Sequence, residues 1–278
     1  MTATPLQLLL AALAAAAGGA VNAIAGGGTL ITCPTLLALG IPPIVANATS
    51  TVGLWPGTVG SMWGYRRELE GARAWAVRFA LPSLAGGMVG AILLLRTSSD
   101  RFSTLVPFLV LGATALFILQ GPVVGFLSAR KSAAGDTLSR AEPRVDRGSA
   151  ITASATPLAP PALPLLAFQF AVAIYGGYFG AGMGILMLAA LGFMGHVNIH
   201  QMNGLKNWGG ACINVVAVGI FAASGVVSWP IAVVMAVGAG IGGYVASGLA
   251  QRVAQETVRR LIIAIGLASG LWLLADRL

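Results

Sequence analysis

The sequence predicts an all-α polytopic membrane protein built of two homologous halves, and three observations predict it. Hydrophobic residues make up 57% of the 278-residue chain and charged residues only 9%, against about a quarter charged in an ordinary soluble domain. The apolar residues gather in about ten runs, most of them near the roughly 20 residues that a helix needs to cross the hydrocarbon core. Finally, "AIAGGGTL" (23–30) and "FGAGMGIL" (179–186) match at an offset of 156 residues, and a basic, apolar-poor stretch lies between the two halves. The mean hydropathy of +0.86 agrees with a chain that lives in lipid.

The runs fall at about 5–25, 29–40, 44–64, 75–95 and 103–127, then 162–180, 184–195, 203–224, 229–250 and 258–275. The first has small residues after its apolar stretch, but it lacks the positive n-region of a signal peptide. It is therefore expected to be a membrane helix. The runs at 29–40 and 184–195 are short, and each follows a glycine cluster, "AGGGT" (25–29) or "GAGMG" (180–184). Glycine costs a helix about 1 kcal/mol per residue and permits positive φ, so both clusters predict an unwound break. Backbone unwound at membrane depth survives only where protein buries it or a wet cavity hydrates it. Close helix packing would also use small residues.

Residues 128–160, "SARKSAAGDTLSRAEPRVDRGSAITASATPLAP", cannot form an apolar face and read as a flexible linker. This divides the chain into a first membrane repeat (1–127), the linker (128–160) and a second repeat (161–278). The 156-residue offset also pairs Asn47 with Asn203, Thr51 with Asn207 and Gly53 with Gly209 without a gap. Two residues out of register, "GARAW" (71–75) meets "GVVSW" (225–229).

If every run crosses, each half has an odd number of crossings and the repeats are inverted. One side then holds Arg66, Arg67, Arg73, Arg78, Arg130, Lys131, Arg140, Arg144, Arg147, Arg252, Arg259 and Arg260; the other holds Arg96, Arg101 and Arg277. That asymmetry fits the positive-inside rule better than a model with re-entrant short runs. It puts the linker in the cytoplasm, both termini outside, and the glycine-broken helices together near the membrane midplane. The net charge of +8 is thus read as topology, and no nucleic-acid partner is expected. Cys33 and Cys212 are expected as small buried residues.

"HQMNGLKNWGG" (200–210) sets a polar patch into this apolar setting. Asn203, Asn207, Gly210 and Asn214 share one helix face, with Lys206 on its flank. The equivalent positions in the first half are Asn47, Thr51, Leu54 and Thr58, with Ser50 opposite Lys206. All eight acidic residues lie in loops or near the ends of runs, whereas cation pumps usually need a buried carboxylate. Neutral donors, one lysine and the free N–H groups of helix starts suit an anion instead. His196 and His200 are spaced for a metal pair, but no third ligand is evident. They leave proton coupling open, though two interfacial histidines are the plainer reading.

"GGAVNAIAGGGTLITCPTLLALGIPP" followed by "ANATS", and "GGYFGAGMGILMLAALGFMG" followed by "MNGLKN", resemble the TauE/SafE family of membrane permeases over nearly the whole chain. The resemblance implies a helical bundle of two homologous halves that carries sulfite or a related small sulfur-containing or organic anion between them. By position it implies a pathway at Gly26, Gly27, Gly28, Gly180, Gly182 and Gly184, with Asn47, Ser50 and Thr51. In the second half Lys206 and Asn207 stand where many members have a Thr-Ser pair like Thr49–Ser50, a departure that adds a positive charge.

The expected function is therefore transport of a small anion (sulfite, thiosulfate, an organosulfonate or a related oxyanion) across the plasma or inner membrane. The expected binding residues are Lys206, Asn203, Asn207, Asn47, Ser50, Thr51 and the six glycines of the two clusters. Alternating exposure by rocking of the halves follows from the repeat. A passive anion channel and an intramembrane metal enzyme using His196 and His200 are the alternatives. No cofactor, metal or catalytic residue is expected.

Overall fold

Lipid offers no hydrogen bonds, so an apolar chain of this kind closes its backbone bonds within helices. The computed structural model describes residues 4–24, 27–64, 66, 69, 72–119, 163–193, 199–249 and 255–275. Helices occupy almost all of them: α1 (Pro5–Ile24), α2 (Thr29–Ala38), α3 (Pro43–Gly64), α4 (Arg73–Arg96) and α5 (Ser99–Leu119). There follow α6 (Leu163–Tyr178), α7 (Met183–Phe193), α8 (Ile199–Ser224), α9 (Trp229–Leu249) and α10 (Gln255–Ala275). Within this set, Pro5–Asn22, Arg73–Arg96, Ser99–Leu119, Gln201–Ser224 and Thr257–Ala275 are long and apolar enough to span a bilayer. Residues 128–160, Gly26 and His196 lie outside the described residues.

Some helices start before their apolar runs do, α5 at 99 and α8 at 199. An apolar run marks the depth of hydrocarbon, while the helix continues into the polar interface. At α5 the extension has a visible cause: Ser98 caps it, accepting the Arg101 N–H on Oγ at 3.4 Å and the Phe102 N–H on its carbonyl at 2.9 Å. The short α2 ends where Gly40, at φ 78°, closes a Schellman turn. There Ile41 N–H donates to Leu36 O and Gly40 N–H to Leu37 O.

The helices pack in a pattern of matched pairs. α1 lies against α9 as α6 lies against α4, and α3 meets α9 as α8 meets α4. α2 rests on α1 and α3 as α7 rests on α6 and α8, and α3 and α8 touch across the middle. Exchanging α1–α4 for α6–α9 therefore carries each of these pairs onto another. The packed groups differ from the halves of the chain, because α4 sits with α6, α7 and α8 while α9 sits with α1, α2 and α3. Rocking bodies cut at the linker would have to tear both α1 from α9 and α4 from α6.

Small residues bring the helices of both contacts to backbone distance. A side chain at Gly242 would run into the Ala16 carbonyl, and one at Gly90 into the carbonyl of Ile174. Since lipid tails are as apolar as the side chains, contact at backbone distance is what holds such helices together. Polar ties join the same groups. Gln169 Nε2 on α6 donates to Ser83 Oγ on α4 at 2.9 Å, and Trp208 Nε1 on α8 donates to Ala76 O on α4 at 2.8 Å. In the other group, Thr49 Oγ1 on α3 accepts the Ser228 N–H just ahead of α9 at 3.0 Å. Phe102 and Phe117 of α5 are fully buried in the largest apolar cluster, with Phe179 and Phe221. Cys33 and Cys212 are both buried free thiols.

Gly242→Val should therefore lower the melting temperature of the purified protein, since overpacking costs about 1–3 kcal/mol. Gly240→Val has the same helix propensity cost, but nothing lies within 4 Å of its added Cβ. Equal melting temperatures for the two variants would show that α1 and α9 do not meet at Gly242.

Candidate functional site

Helices end and restart on either side of the described glycines of the two clusters. α1 ends at Ile24 and α2 starts at Thr29; α6 ends at Tyr178 and α7 starts at Met183. In the second break Gly180 and Gly182 take φ of 85° and 77°, values that a side chain would strain. Tyr175 steadies this turn, its Oη donating to Ala181 O at 2.5 Å. α5 backs both breaks from behind. A side chain at Gly27 would meet the Phe117 ring at 2.5 Å, and one at Gly182 would meet Leu116 at 3.3 Å.

In front of the breaks lies a cavity of about 80 Å³, where a water needs roughly 10–15 Å³. Gly27, Gly28 and Thr29 bring the start of α2 to it, and Gly180, Ala181, Met183 and Gly184 bring the start of α7. Among the described residues no side chain caps α2, whose Leu30 and Ile31 N–H groups donate to Gly27 O and Gly28 O at 3.0 Å. The N-terminus of a helix carries about half a positive charge on its unpaired N–H groups, so two such ends face one small space.

The polar stripes of α3 and α8 form the flanking walls. Thr51, Leu54 and Thr58 line the cavity from α3, and Asn207, Gly210 and Asn214 line it from α8. The two stripes behave alike, each reaching the cavity from its second member onward. Their first members point elsewhere. Asn47 is buried and donates from Nδ2 to Tyr178 O at 3.0 Å, tying α3 to the end of α6. Asn203 is half-buried and does not line the cavity.

Lys206 joins Asn207 on the α8 wall. Its stem lies over the first turn of α7, where an added Cβ on Gly184 would be 3.1 Å from Lys206 Cδ and 3.5 Å from Cγ. Gly184 thus provides the groove that brings the amine past a helix start. Among the described residues, none of those lining the cavity is acidic. A cation beside two positive helix ends is electrostatically unfavourable on its own, and an anion between them relieves all three at once.

The remaining expected residues support this arrangement from outside it. Ser50 is fully buried, 2.5 Å from Thr32 Oγ1, and Thr32 Oγ1 donates to Gly28 O at 3.2 Å. That chain of hydroxyls fixes the start of α2 against α3. Gly182 faces Leu116 and Ala113 of α5. Gly26 and His196 lie outside the described residues, as does the side chain of His200. Trp208 turns to α4 and does not line the cavity. Asn22, on the last turn of α1, lines the cavity without having been expected there; its signal was an amide in an apolar run just ahead of the glycines. Tyr175 had no such signal.

A larger groove, of about 490 Å³, lies where α1 begins and the α2–α3 and α8–α9 turns meet. Gln7, Ser228 and apolar residues line it, with no charged group among them. The smaller cavity therefore has the chemistry, and the larger one only the room.

Comparison with known proteins places the chain among membrane transporters. A family model described as "Sulfite exporter TauE/SafE" matches residues 10–273. A probable membrane transporter protein, ORF9, of a Sinorhizobium species is 29% identical over 267 residues, covering 95% of this chain and 91% of its own. The probable membrane transporter protein YfcA of Escherichia coli K12 is 25% identical over 275 residues, covering 98% and 91%. A probable membrane transporter protein of Haemophilus influenzae is 25% identical over 246 residues, covering 87% and 85%. No solved structure is significantly similar.

The chain has two lysines, Lys131 and Lys206, so amine labelling read by mass spectrometry can follow Lys206 against an internal reference. Gly184→Val should lift the stem from its groove and raise labelling of Lys206 relative to Lys131 severalfold. An unchanged ratio would mean that the stem does not rest on Gly184.

Proposed function

Because this chain belongs to the sulfite exporter TauE/SafE family and is a multi-pass membrane transporter, we propose that its cargo is a small oxyanion bound in the cavity between the two helix breaks. One observation carries the reading: Lys206 and the starts of α2 and α7 converge on a space whose lining, among the described residues, holds no carboxylate. A cation would be repelled by every charged element there, and an uncharged solute would leave a desolvated amine without a counter-charge.

The neutral groups fit an anion with several acceptor oxygens. The amides of Asn22, Asn207 and Asn214 supply N–H donors around the cavity. Thr51 Oγ1 donates to Asn47 O at 2.9 Å, and Thr58 Oγ1 leans on Leu54 O at 3.5 Å; rotation about χ1 would redirect either hydroxyl to a ligand. Leu54, Phe179, Met183 and Met187 close the rest of the surface with apolar groups. That wall excludes water from the charged side, which strengthens each polar contact made there. The position of the cavity supports transport as well, since its two walls belong to different packed groups and α3 meets α8 beside it.

Lys206→Ala removes the only charged side chain among the described residues of the cavity lining. A charge-assisted hydrogen bond is worth about 1.5–3 kcal/mol, so the variant should bind its anion roughly 10- to 150-fold more weakly. The measurement is flux of labelled sulfite, thiosulfate, methanesulfonate and acetate into proteoliposomes, with melting temperature as the check on folding. Wild-type flux from a folded Lys206→Ala protein would sink the proposal.

A further inference from the structure

We infer that the protein is an anion exchanger, in which Lys206 permits the carrier to change its exposure only when an anion occupies the site. This rests on the oxyanion reading above and adds how the transport is coupled.

The reasoning starts from the charge balance of the cavity. Lys206 is half-buried on α8, and its neighbours around the space are amides, hydroxyls, glycines and apolar side chains. Among the described residues the acidic groups are Asp100, in the first turn of α5, and Glu256, in the first turn of α10. Asp100 does not line the cavity, and Glu256 falls outside the apolar runs of the sequence. The other six acidic residues, Glu68, Glu70, Asp136, Glu142, Asp146 and Asp276, fall outside the apolar runs of the sequence. The empty site thus carries one full positive charge and the partial charges of two helix starts, and a bound monoanion cancels the full charge.

To pass from one side to the other, an alternating-access carrier must close the site to both. Closing it empty would enclose an unpaired ammonium in a wall that includes Leu54, Phe179 and Met187, and an uncompensated buried charge is strongly unfavourable. Closing it with an anion encloses a neutral pair with several hydrogen bonds. The difference acts on the barrier of the return step, where each tenfold in rate corresponds to 1.36 kcal/mol. An empty return slower by on the order of a hundredfold follows from a penalty at the small end of the range for broken buried pairs. Net movement then stalls, and turnover requires an anion on each side.

Among the described residues no carboxylate lines the cavity beside Lys206. Its stem is held in the Gly184 groove at the start of α7, so the amine cannot swing away from the cavity without losing that seat. The equivalent position in the first half, Ser50, is uncharged and occupied with Thr32. One wall therefore carries the charge that gates both directions.

The experiment uses full-length protein in liposomes and the same four labelled anions: sulfite, thiosulfate, methanesulfonate and acetate. Uptake is compared between vesicles loaded with the same unlabelled anion and vesicles loaded with gluconate, with protein-free liposomes subtracted. The expected result for the anion carried fastest is uptake at least about tenfold quicker into the loaded vesicles, within the rate ratio derived above. Lys206→Gln keeps a hydrogen-bond donor without the charge, and its slower uptake should be the same in both preparations. Equal uptake by wild-type protein into loaded and gluconate vesicles overturns exchange while leaving oxyanion transport standing. No uptake of any of the four anions overturns the oxyanion reading and exchange with it. A loading effect that persists unchanged in Lys206→Gln overturns the assignment of coupling to Lys206.

Discussion

Two helix starts brought to one small cavity, with a lysine beside them, are the constraint around which this molecule is arranged. In a bundle surrounded by lipid a break in a helix is costly, because no solvent replaces the lost bonds. Two breaks face each other here, one closing on Thr29 and the other on Met183. α5 covers their backs with Phe117, Leu116 and Ala113, Tyr175 and Thr32 tie down their carbonyls, and a small cavity lies in front of them. Thr51 and Thr58 of α3 and Lys206, Asn207 and Asn214 of α8 line that cavity, while Asn47 and Ser50 brace the turns beside it.

The packing keeps the cavity between two groups of helices, and these groups are not the halves of the chain. α4 crosses to α6 and α8, and α9 crosses to α1 and α3. Each crossing is sealed by glycine at backbone distance, as at Gly90 and Gly242. A chain folded in this way cannot come apart at its linker without breaking these glycine-sealed contacts. The two groups meet where α3 lies against α8, and the cavity lies beside that contact. The charge is equally one-sided: the α8 wall carries Lys206, and the α3 wall answers it with hydroxyls.

Much of the arrangement was legible in the residues, and the limits are physical. Glycine clusters and helical spacing are local properties, so both breaks and the cavity-facing residues Thr51, Thr58, Asn207 and Asn214 follow from short stretches of chain. Which member of a stripe meets a ligand depends on the neighbouring helix. Asn47 sits on the expected face but is spent on Tyr178 O, and Ser50 on Thr32; no spacing rule separates these from Thr51. The support from α5 and from Tyr175 arises only when distant segments meet. Apolar runs also understate helices, as the Ser98 cap of α5 shows.

The most direct measurement is to locate an oxyanion in the protein by its own scattering. Selenite has the shape and charge of a small sulfur oxyanion, and its selenium gives an anomalous signal in crystals of the purified protein. The expected result is a peak in the cavity, within hydrogen-bonding reach of Lys206 and of the first-turn N–H groups of α2 and α7, that vanishes in Lys206→Gln. A peak elsewhere in the bundle with the cavity empty, or one in the cavity indifferent to Lys206, would contradict the site.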